Sequence, residues 1–406
     1  MLVHWIWLAT RCGVSDRQKR AVLEACGDAE DVYFADGESY QTIAELSPQA
    51  KDALLDKDLT EAESILTQCT DKNIQVCTFH DSLYPVRLKH IADPPLVLYY
   101  KGTFPKMDAA PVITVVGTRE SSLYGNNVAR RMGYQIAACG GIVVSGVAKG
   151  IDGMAMQGAL LAGGTVIGVL GSGVDVVYPK SNKHLFADLE RHGCLVSEFP
   201  PETEPLRWNF PKRNRIMGGL SNGTVVIEAP QKSGSLITAR DALEQGRDVF
   251  VVPGNVDMPG FDGSNALLRE GAIPVRNGWD VISEYAPIYP NVVKASLEEP
   301  AVEDHKELPK VAEEPMIPAK RSVSAKEKQK KPIDKAPTPP YSDLKAILDT
   351  LSDSQRAIVE LLTEPCVVDE IIAQTGLSAA KVSMDLTLLQ VRGIIKRLPG
   401  NRITLK

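Results

Sequence analysis

The feature that most constrains the fold is a regular alternation, from Ile113 to Val275, of short β-branched runs with longer segments of helical character. The strand-like runs are ITVVG, IVVSG, TVIGVLG, CLVSEFP, TVVIEA, DVFVVPG and AIPV. Such alternation predicts an α/β fold whose strands form a parallel, doubly wound sheet. Binding sites in these sheets lie beyond the carboxyl ends of the strands, so the residues that follow each run are the candidates for function.

Composition narrows the class of protein. The 406 residues are enough for two or three domains, and 44% hydrophobic with 24% charged residues is ordinary globular usage. The seven cysteines are scattered without a CxxC pair, which favours reduced thiols over a disulfide framework or a zinc site. No apolar run approaches the ~18 residues of a membrane span, so we expect a cytoplasmic protein without membrane contact. Because the net charge is -6, any binding of nucleic acid requires a local basic patch.

The composition also divides the chain into four parts. Residues 291–340 contain 8 Pro, 19 charged residues and no aromatic residue, a mixture that predicts a disordered linker. Residues 1–70 show apolar positions at helical spacing and predict a small helical domain. Residues 71–290 hold the predicted sheet. Residues 341–406 follow the pattern of three helices and a hairpin with a Gly-Asn turn.

Three glycine-rich turns follow strands of the predicted sheet. They are GTRESSLYG, SGVAKGIDG and GSGVDVVYPKSN, and the first two carry Arg119 and Lys149. Backbone N–H groups at a helix start together with a cation bind anions. A third Gly of the dinucleotide fingerprint is missing and no GxxxxGK[ST] motif occurs, so neither standard nucleotide motif is present. One such turn is usually plain loop geometry, but three in one sheet favour a phosphate-binding rim.

The segment PLRWNFPKRNRIMGG carries four cations and no acidic residue, with Trp208 and Phe210 between the cations. A basic track with aromatic platforms is typical of sequence-independent binding to single strands. The alternative is a solvated basic face with two core aromatics. The next segment, SGSLITARD, places Ser and Gly before a helix predicted to begin near Leu236, which is either another anion site or an ordinary cap.

The sequence offers little for catalysis. No Ser/His/Asp arrangement is recognisable, and His184 and His192 lie on a helical pattern where exposed imidazoles are expected. Asp152 and Asp175 follow strands, where turn and cap roles are more common than acid–base chemistry. We therefore predict no catalytic residue, no cofactor and no metal.

Several of these strings, in this order, resemble the DNA-processing protein A (DprA/Smf) family. They are VVGTRESSLYG, SGVAKGIDGMAMQGAL, GSGVDVVYP, SEFPPETEPLRWNFPKRNRIMGGLS, VVIEAPQKSGSLITARDALEQGRDVFVVPGN and GSNALLREGA. The similarity covers roughly residues 80 to 276, and GVSDRQKRAVLEACG also resembles the family's helix-hairpin-helix (SAM-like) N-terminal domain. The resemblance implies an extended Rossmann-like fold without dinucleotide chemistry. It also implies a homodimer without known catalysis that binds and protects single-stranded DNA and loads the RecA recombinase in natural transformation.

The resemblance also implies which residues contact DNA. These are Gly117, Thr118, Arg119, Ser145, Gly146, Lys149, Gly150, Phe210, Lys212, Arg213, Asn214, Arg215, Gly234, Ser235 and Thr238. The family usually has Arg where this chain has Lys149, so the bidentate fork is lost and the charge is kept. It usually has Ala-His where this chain has Ala155 and Met156, which counts against proton chemistry at that position.

The C-terminal part resembles a winged helix, which some family members carry, and its partner is either DNA or protein. A competing hypothesis is an enzyme that hydrolyses a nucleotide or nucleoside phosphate, because the sheet is distantly similar to the lysine-decarboxylase-like Rossmann group. Those enzymes use a PGGxGT loop followed by a catalytic Glu, where this chain has KSGSLITARD and Asp241. A third hypothesis, a structural adaptor, leaves the basic segment unexplained.

Overall fold

The structure, a computed structural model, describes two parts of the chain. These are residues 1–296 and, further on, residues 351–362, 366–377, 381–382, 385–386, 388–389, 394–398 and 402–405. The chain separates into two compact units, Met1–Glu313 and Glu314–Lys406. The predicted linker, residues 291–340, lies outside the described residues from residue 297 onward. The four-domain division drawn from composition stays a prediction.

The first unit begins with six short helices. They are α1 (Leu2–Thr10), α2 (Asp16–Cys26), α3 (Ala29–Phe34), α4 (Gly37–Gln41), α5 (Pro48–Leu55) and α6 (Thr60–Asp71). Ser15 starts α2 with a capping box, in which its side chain and that of Gln18 each accept a backbone N–H of the other residue. Trp7, Leu8 and Tyr40 are buried at the centre of the bundle. The predicted helical character of this region is confirmed.

A single sheet organises the rest of the unit. In the part of the chain before residue 297, its strands are β1 (Gln75–Thr78), β2 (Val97–Gly102), β3 (Val112–Val116), β4 (Ile142–Ser145), β5 (Val166–Val169), β6 (Cys194–Ser197), β7 (Gly223–Val226), β8 (Asp248–Val251) and β9 (Ile273–Pro274). The strand order is β1-β2-β6-β5-β4-β3-β7-β8-β9. Strands β3 to β9 are parallel, which confirms the predicted sheet. Strands β1 and β2 add an antiparallel edge.

Helices cover both faces of the sheet. They are α7 (Val86–Lys89), α8 (Leu123–Ala138), α9 (Ile151–Leu161), α10 (Lys183–His192), α11 (Asn209–Leu220), α12 (Gly234–Glu244), α13 (Asp262–Arg269) and α14 (Gly278–Ile282). Because side chains alternate along a strand, Ile113 and Val115 pack with α8, α9, α10 and α14 on one face. Val112 and Val116 pack with α7, α11, α12 and α13 on the other face.

The winding of the chain fixes where a ligand can bind. From β3 the chain passes to β4, β5 and β6 on one side, and it then returns to β7, β8 and β9 on the other side. The connections that follow β3 and β7 therefore leave the sheet in opposite directions. This switch point opens a crevice at the carboxyl ends of the strands.

The second unit contains α15 (Asp353–Leu361), β10 (Cys366–Val367), α16 (Val368–Thr375), β11 (Ile395–Leu398) and β12 (Arg402–Leu405). The three strands form an antiparallel sheet in the order β10-β12-β11. Ile358, Ile371 and Ile403 lie in its core. The predicted third helix, residues 378–393, falls mostly outside the described residues. Across the described parts of both units, no helix has the length and apolar character needed to cross a membrane.

Candidate functional site

Two adjoining cavities open at the carboxyl edge of the sheet, and together we call them the crevice. Their volumes are about 630 Å³ for the first and about 600 Å³ for the second. Arg119, Tyr178, Phe210 and Arg213 line both cavities. Most of the residues expected at the site lie here: Gly117, Thr118, Asn214, Gly234, Ser235 and Thr238 line the first cavity, and Gly146 and Lys149 line the second.

The turn after β3 forms one wall of the crevice. The backbone N–H of Thr118 donates to the carbonyl oxygen of Glu228 at 2.7 Å, which joins the turns after β3 and β7. A Cβ on Gly117 would lie 2.5 Å from the Ile151 side chain, so only glycine fits this turn. Arg119 is exposed, and its guanidinium carbon lies 5.2 Å from the ring centre of Phe210. The turn therefore presents a cation and a ring side by side.

Hydrogen bonds to buried groups fix the turn after β4. The Ser145 hydroxyl is buried and donates to the carbonyl oxygen of Val115 at 2.7 Å. The N–H of Gly146 donates to the carboxylate of Asp152 at 3.1 Å, and Gly150 caps α9 with φ 77°. Ser145 and Gly150 thus shape the turn, whereas Lys149 is exposed at its rim.

Arg213 forms the floor shared by the two cavities. It is 4% exposed, and its Nη1 donates to the carbonyl oxygens of Gly146, at 2.9 Å, and of Val169. Its Nε donates to the Asn214 side chain at 3.2 Å. Burial lowers the pKa of Arg213 to about 10 and raises the pKa of Asp152, and the attraction between the two opposes both shifts. Arg213 therefore ties α11 to the ends of β4 and β5.

The start of α12 forms the opposite wall. Ser233 caps this helix by accepting the N–H of Ser235 at 3.3 Å, so the helix begins at Gly234, two residues before the predicted start. A Cβ on Gly234 would meet nothing within 4 Å, so the helix start faces open space. Lys232 and Ser233 line the first cavity beside it. An uncovered helix N-terminus next to a cation suits an anion.

The basic run in α11 is not one continuous track. Successive residues of a helix point about 100° apart, so the run is divided between two sides of α11. Arg215 pairs with Asp93, at 3.1 Å, and with Glu198. It lines a separate cavity of about 50 Å³. Lys212 is exposed and, among the residues described, lines neither cavity of the crevice. The structure thus leaves Lys212 and Arg215 out of the crevice.

Several residues of the crevice are not among those predicted from the sequence. Tyr178 lines both cavities, Lys180 lines the second and Lys232 lines the first. The Tyr178 ring lies 5.7 Å from the Phe210 ring. Their position in the sequence is the signal that could have predicted them, because each of these residues follows a strand within a glycine-rich or serine-rich turn.

Of the acids and imidazoles considered for catalysis, Asp152 lines the first cavity, where its carboxylate accepts the N–H of Gly146. The others lie elsewhere. Asp241 has Glu244, Asp93 and Arg215 as its charged neighbours, and burial raises its pKa. In the described structure it lines neither cavity, so the acid that the hydrolase hypothesis requires is not in the crevice. His184 and His192 are exposed on α10, as expected. Asp175 pairs with Lys72 at 2.6 Å.

The crevice is cationic and lined with aromatic rings. Among the described residues, its exposed cations are Arg119, Lys149, Lys180, Arg207 and Lys232, against one exposed acid, Glu120. Fold and crevice together define a class: a Rossmann-like α/β protein with an anion-attracting, ring-lined cleft at its switch point.

Comparison with known proteins gives the family. Residues 75–286 match the family model of DNA recombination-mediator protein A, and residues 336–401 match the DprA winged helix domain. The DNA processing protein DprA of Bacillus subtilis is 41% identical over 220 residues, which are 54% of this chain and 74% of that protein. Protein Smf of Synechocystis is 34% identical over 347 residues, 83% of this chain and 81% of its own length. The X-ray structure of DprA from Streptococcus pneumoniae superimposes with a TM-score of 0.62 at 34% identity, over 70% of this chain and 98% of that chain.

The chain belongs to the DprA/Smf family of DNA recombination-mediator proteins. The resemblance inferred from the strand-end motifs is therefore confirmed. The winged-helix prediction for the C-terminal unit is confirmed by the family model as well.

Proposed function

We propose that this protein binds single-stranded DNA, without sequence preference, in the crevice at the carboxyl edge of its sheet. One observation carries the proposal: among the described residues, five exposed cations line the two cavities together with the rings of Phe210 and Tyr178. The cations suit the phosphates, and the rings suit unpaired bases, which stack for roughly 1–3 kcal/mol each.

The shape of the site favours single strands over duplex. Phe210 is half-buried within a concave crevice between the turns after β3 and β5 and the start of α12. Paired bases are stacked inside a duplex and do not present their faces to such a ring. Major-groove readout instead uses a protruding helix or ribbon.

The direct test is a titration of fluorescently labelled oligo-dT with the full-length chain and with two variants, Arg119→Ala and Lys149→Ala. Each substitution removes a charge-assisted contact of roughly 1.5–3 kcal/mol, so we expect the Kd for oligo-dT to rise about 10- to 150-fold. Lys106→Ala is the matched control, because Lys106 is exposed and precedes β3, at the amino edge of the sheet. Equal affinity of the parent and both crevice variants, or equal affinity of the parent for duplex, would refute the proposal.

We further propose that the protein works as a homodimer in the cytoplasm, protects incoming strands and loads the RecA recombinase during natural transformation. Membership of the recombination-mediator family supports this role. The test is whether the chain accelerates RecA filament formation on oligo-dT and sediments as a dimer. A monomer without effect on filament formation would contradict it.

A further inference from the structure

The carboxylate of Glu228, two residues after the end of β7, is packed into the first turn of α8. Glu228 is only 4% exposed. Its two carboxylate oxygens accept the backbone N–H of Ser122 at 3.2 and 3.0 Å, and Oε2 also accepts the Ser122 hydroxyl at 2.8 Å. Ser122 is the N-cap of α8, a helix of 16 residues. A negative charge thus sits at the positive end of this helix.

Two glycines make room for this carboxylate. A Cβ on Gly125, in the first turn of α8, would lie 2.0 Å from Oε2 of Glu228. A Cβ on Gly260, in the connection after β8, would lie 2.8 Å from Oε1. Both glycines are needed for the carboxylate to reach the helix. The arrangement therefore depends on three separate segments of the chain: the turn after β7, the first turn of α8 and the connection after β8.

The Glu228 carboxylate occupies the helix N-terminus at which related folds bind a ligand. Helix α8 follows β3, and β3 lies at the switch point of the sheet. In Rossmann folds that bind nucleotides, a pyrophosphate lies at the N-terminus of the corresponding helix. Here, in the described structure, neither Ser122 nor Glu228 lines the crevice. The Glu228 carboxylate thus blocks the start of α8 to a ligand. It also supplies the negative charge that a bound phosphate would otherwise bring there.

We propose that Glu228 is a specificity-determining residue, whose carboxylate takes the place of a nucleotide pyrophosphate at the start of α8. It excludes nucleoside diphosphates and dinucleotides from the crevice and leaves the start of α12 and the exposed cations for the phosphates of a strand. This inference rests on the proposed function only in naming the strand as the ligand that remains. A strand spreads its phosphates over several cations, whereas a nucleotide depends on one anchored pyrophosphate. Because Glu228 occupies the N-terminus of α8, a nucleotide loses its main contact with the protein.

The test measures binding of inorganic pyrophosphate and of ADP to the full-length parent, to Glu228→Ala and to Glu228→Asp. Glu228→Ala removes both the charge and the volume at the start of α8, so we expect it to bind pyrophosphate about tenfold or more tightly than the parent does. Glu228→Asp keeps the charge and is the matched control, so it is expected to bind like the parent. Thermal unfolding of each variant shows that it is folded.

A second measurement uses the parent alone and does not depend on the folding of a variant. The amide resonances of Ser122 and Gly125 are followed by NMR while ADP is added. We expect neither to shift. A shift of these amides in the parent, or equal pyrophosphate affinity of folded Glu228→Ala and the parent, overturns the proposal. Oligo-dT is titrated in parallel. If it does not bind the parent, the proposed function is refuted, and the comparison of pyrophosphate affinities between the parent and Glu228→Ala still stands.

Discussion

At the scale of single residues, Arg213 shows how a buried cation shapes the crevice. Its guanidinium holds the carbonyl oxygens of Gly146 and Val169. These groups lie at the ends of β4 and β5, so one side chain fixes the position of two turns. Its main role in the structure is to hold these turns, whereas Arg119 and Arg207 are exposed where they line the crevice.

Substituting Arg213 is expected to cost stability as well as DNA affinity. Arg213→Ala leaves two buried carbonyl oxygens without their charged donor, so we expect the free energy of unfolding to fall by about 1.5–3 kcal/mol. Arg119→Ala removes an exposed side chain, and its effect is expected to stay within about 0.5 kcal/mol. Urea unfolding followed by tryptophan fluorescence measures both. An Arg213→Ala protein as stable as the parent would show that the guanidinium does not hold the turns.

Lys57 gives a prediction about pH in the helical region. Its ammonium lies 5.2 Å from the Trp7 ring and 5.4 Å from the Tyr33 ring, and it donates to the Tyr40 hydroxyl at 2.8 Å. Burial first, and repulsion by Arg11 second, lower its pKa from the ordinary 10.5 to about 8. The folded state therefore favours the neutral amine.

Because the pKa of Lys57 is lower in the folded than in the unfolded chain, its contribution to stability is greatest above 10.5 and is lost as the pH falls to about 8. We expect the parent to gain stability relative to Lys57→Met when the pH rises from 8 to 10. Chemical unfolding at several pH values measures the difference between the two proteins. A difference that stays constant over this range would show that the pKa of Lys57 is not lowered.

At the scale of elements, α8 and α9 are in close backbone contact. A Cβ on Gly133 would lie 1.9 Å from the carbonyl oxygen of Ala155, and one on Gly158 would lie 1.9 Å from that of Arg130. The two helices thus touch backbone to backbone. This contact positions the start of α9, which follows the turn of Lys149.

Either Gly133→Ala or Gly158→Ala should force these helices apart. We expect the free energy of unfolding to fall by about 1–3 kcal/mol, because the new methyl group meets rigid backbone. The control is Gly37→Ala at the start of α4, where a Cβ would lie at an ordinary 3.8 Å from Leu55 and little change is expected. If all three alanine variants melt at the temperature of the parent, the helices are not in backbone contact.

The elements also show what sequence can predict. Strands β3 to β9 were predictable because each is a short β-branched run between helical segments. The antiparallel edge of β1 and β2 was not, because these strands precede that alternation and their pairing depends on where β6 lies. The helical phase of α11 separates Arg213 from Arg215, whereas in the linear sequence the two look equivalent. Glu228 is a single acid after a strand, and only the topology places it against Ser122.

At the scale of the whole molecule, a net charge of -6 coexists with a cationic crevice. Net charge acts over long distances and is screened by salt, so a strand is attracted only where cations are locally concentrated. The five exposed cations of the crevice provide that concentration. DNA binding by this acidic protein is therefore expected to depend steeply on ionic strength.

The salt dependence of oligo-dT binding by the full-length chain tests whether strand phosphates bind in the crevice. If about three to five phosphates are neutralised, the slope of log affinity against log salt lies between about -2 and -3.5, at roughly -0.7 per phosphate. Raising salt from about 50 to 200 mM then weakens binding about 15- to 130-fold. Arg119→Ala should make the slope shallower by about 0.7. An affinity for oligo-dT that does not change with salt, or a slope that Arg119→Ala leaves unaltered, would contradict the claim that strand phosphates bind in the crevice.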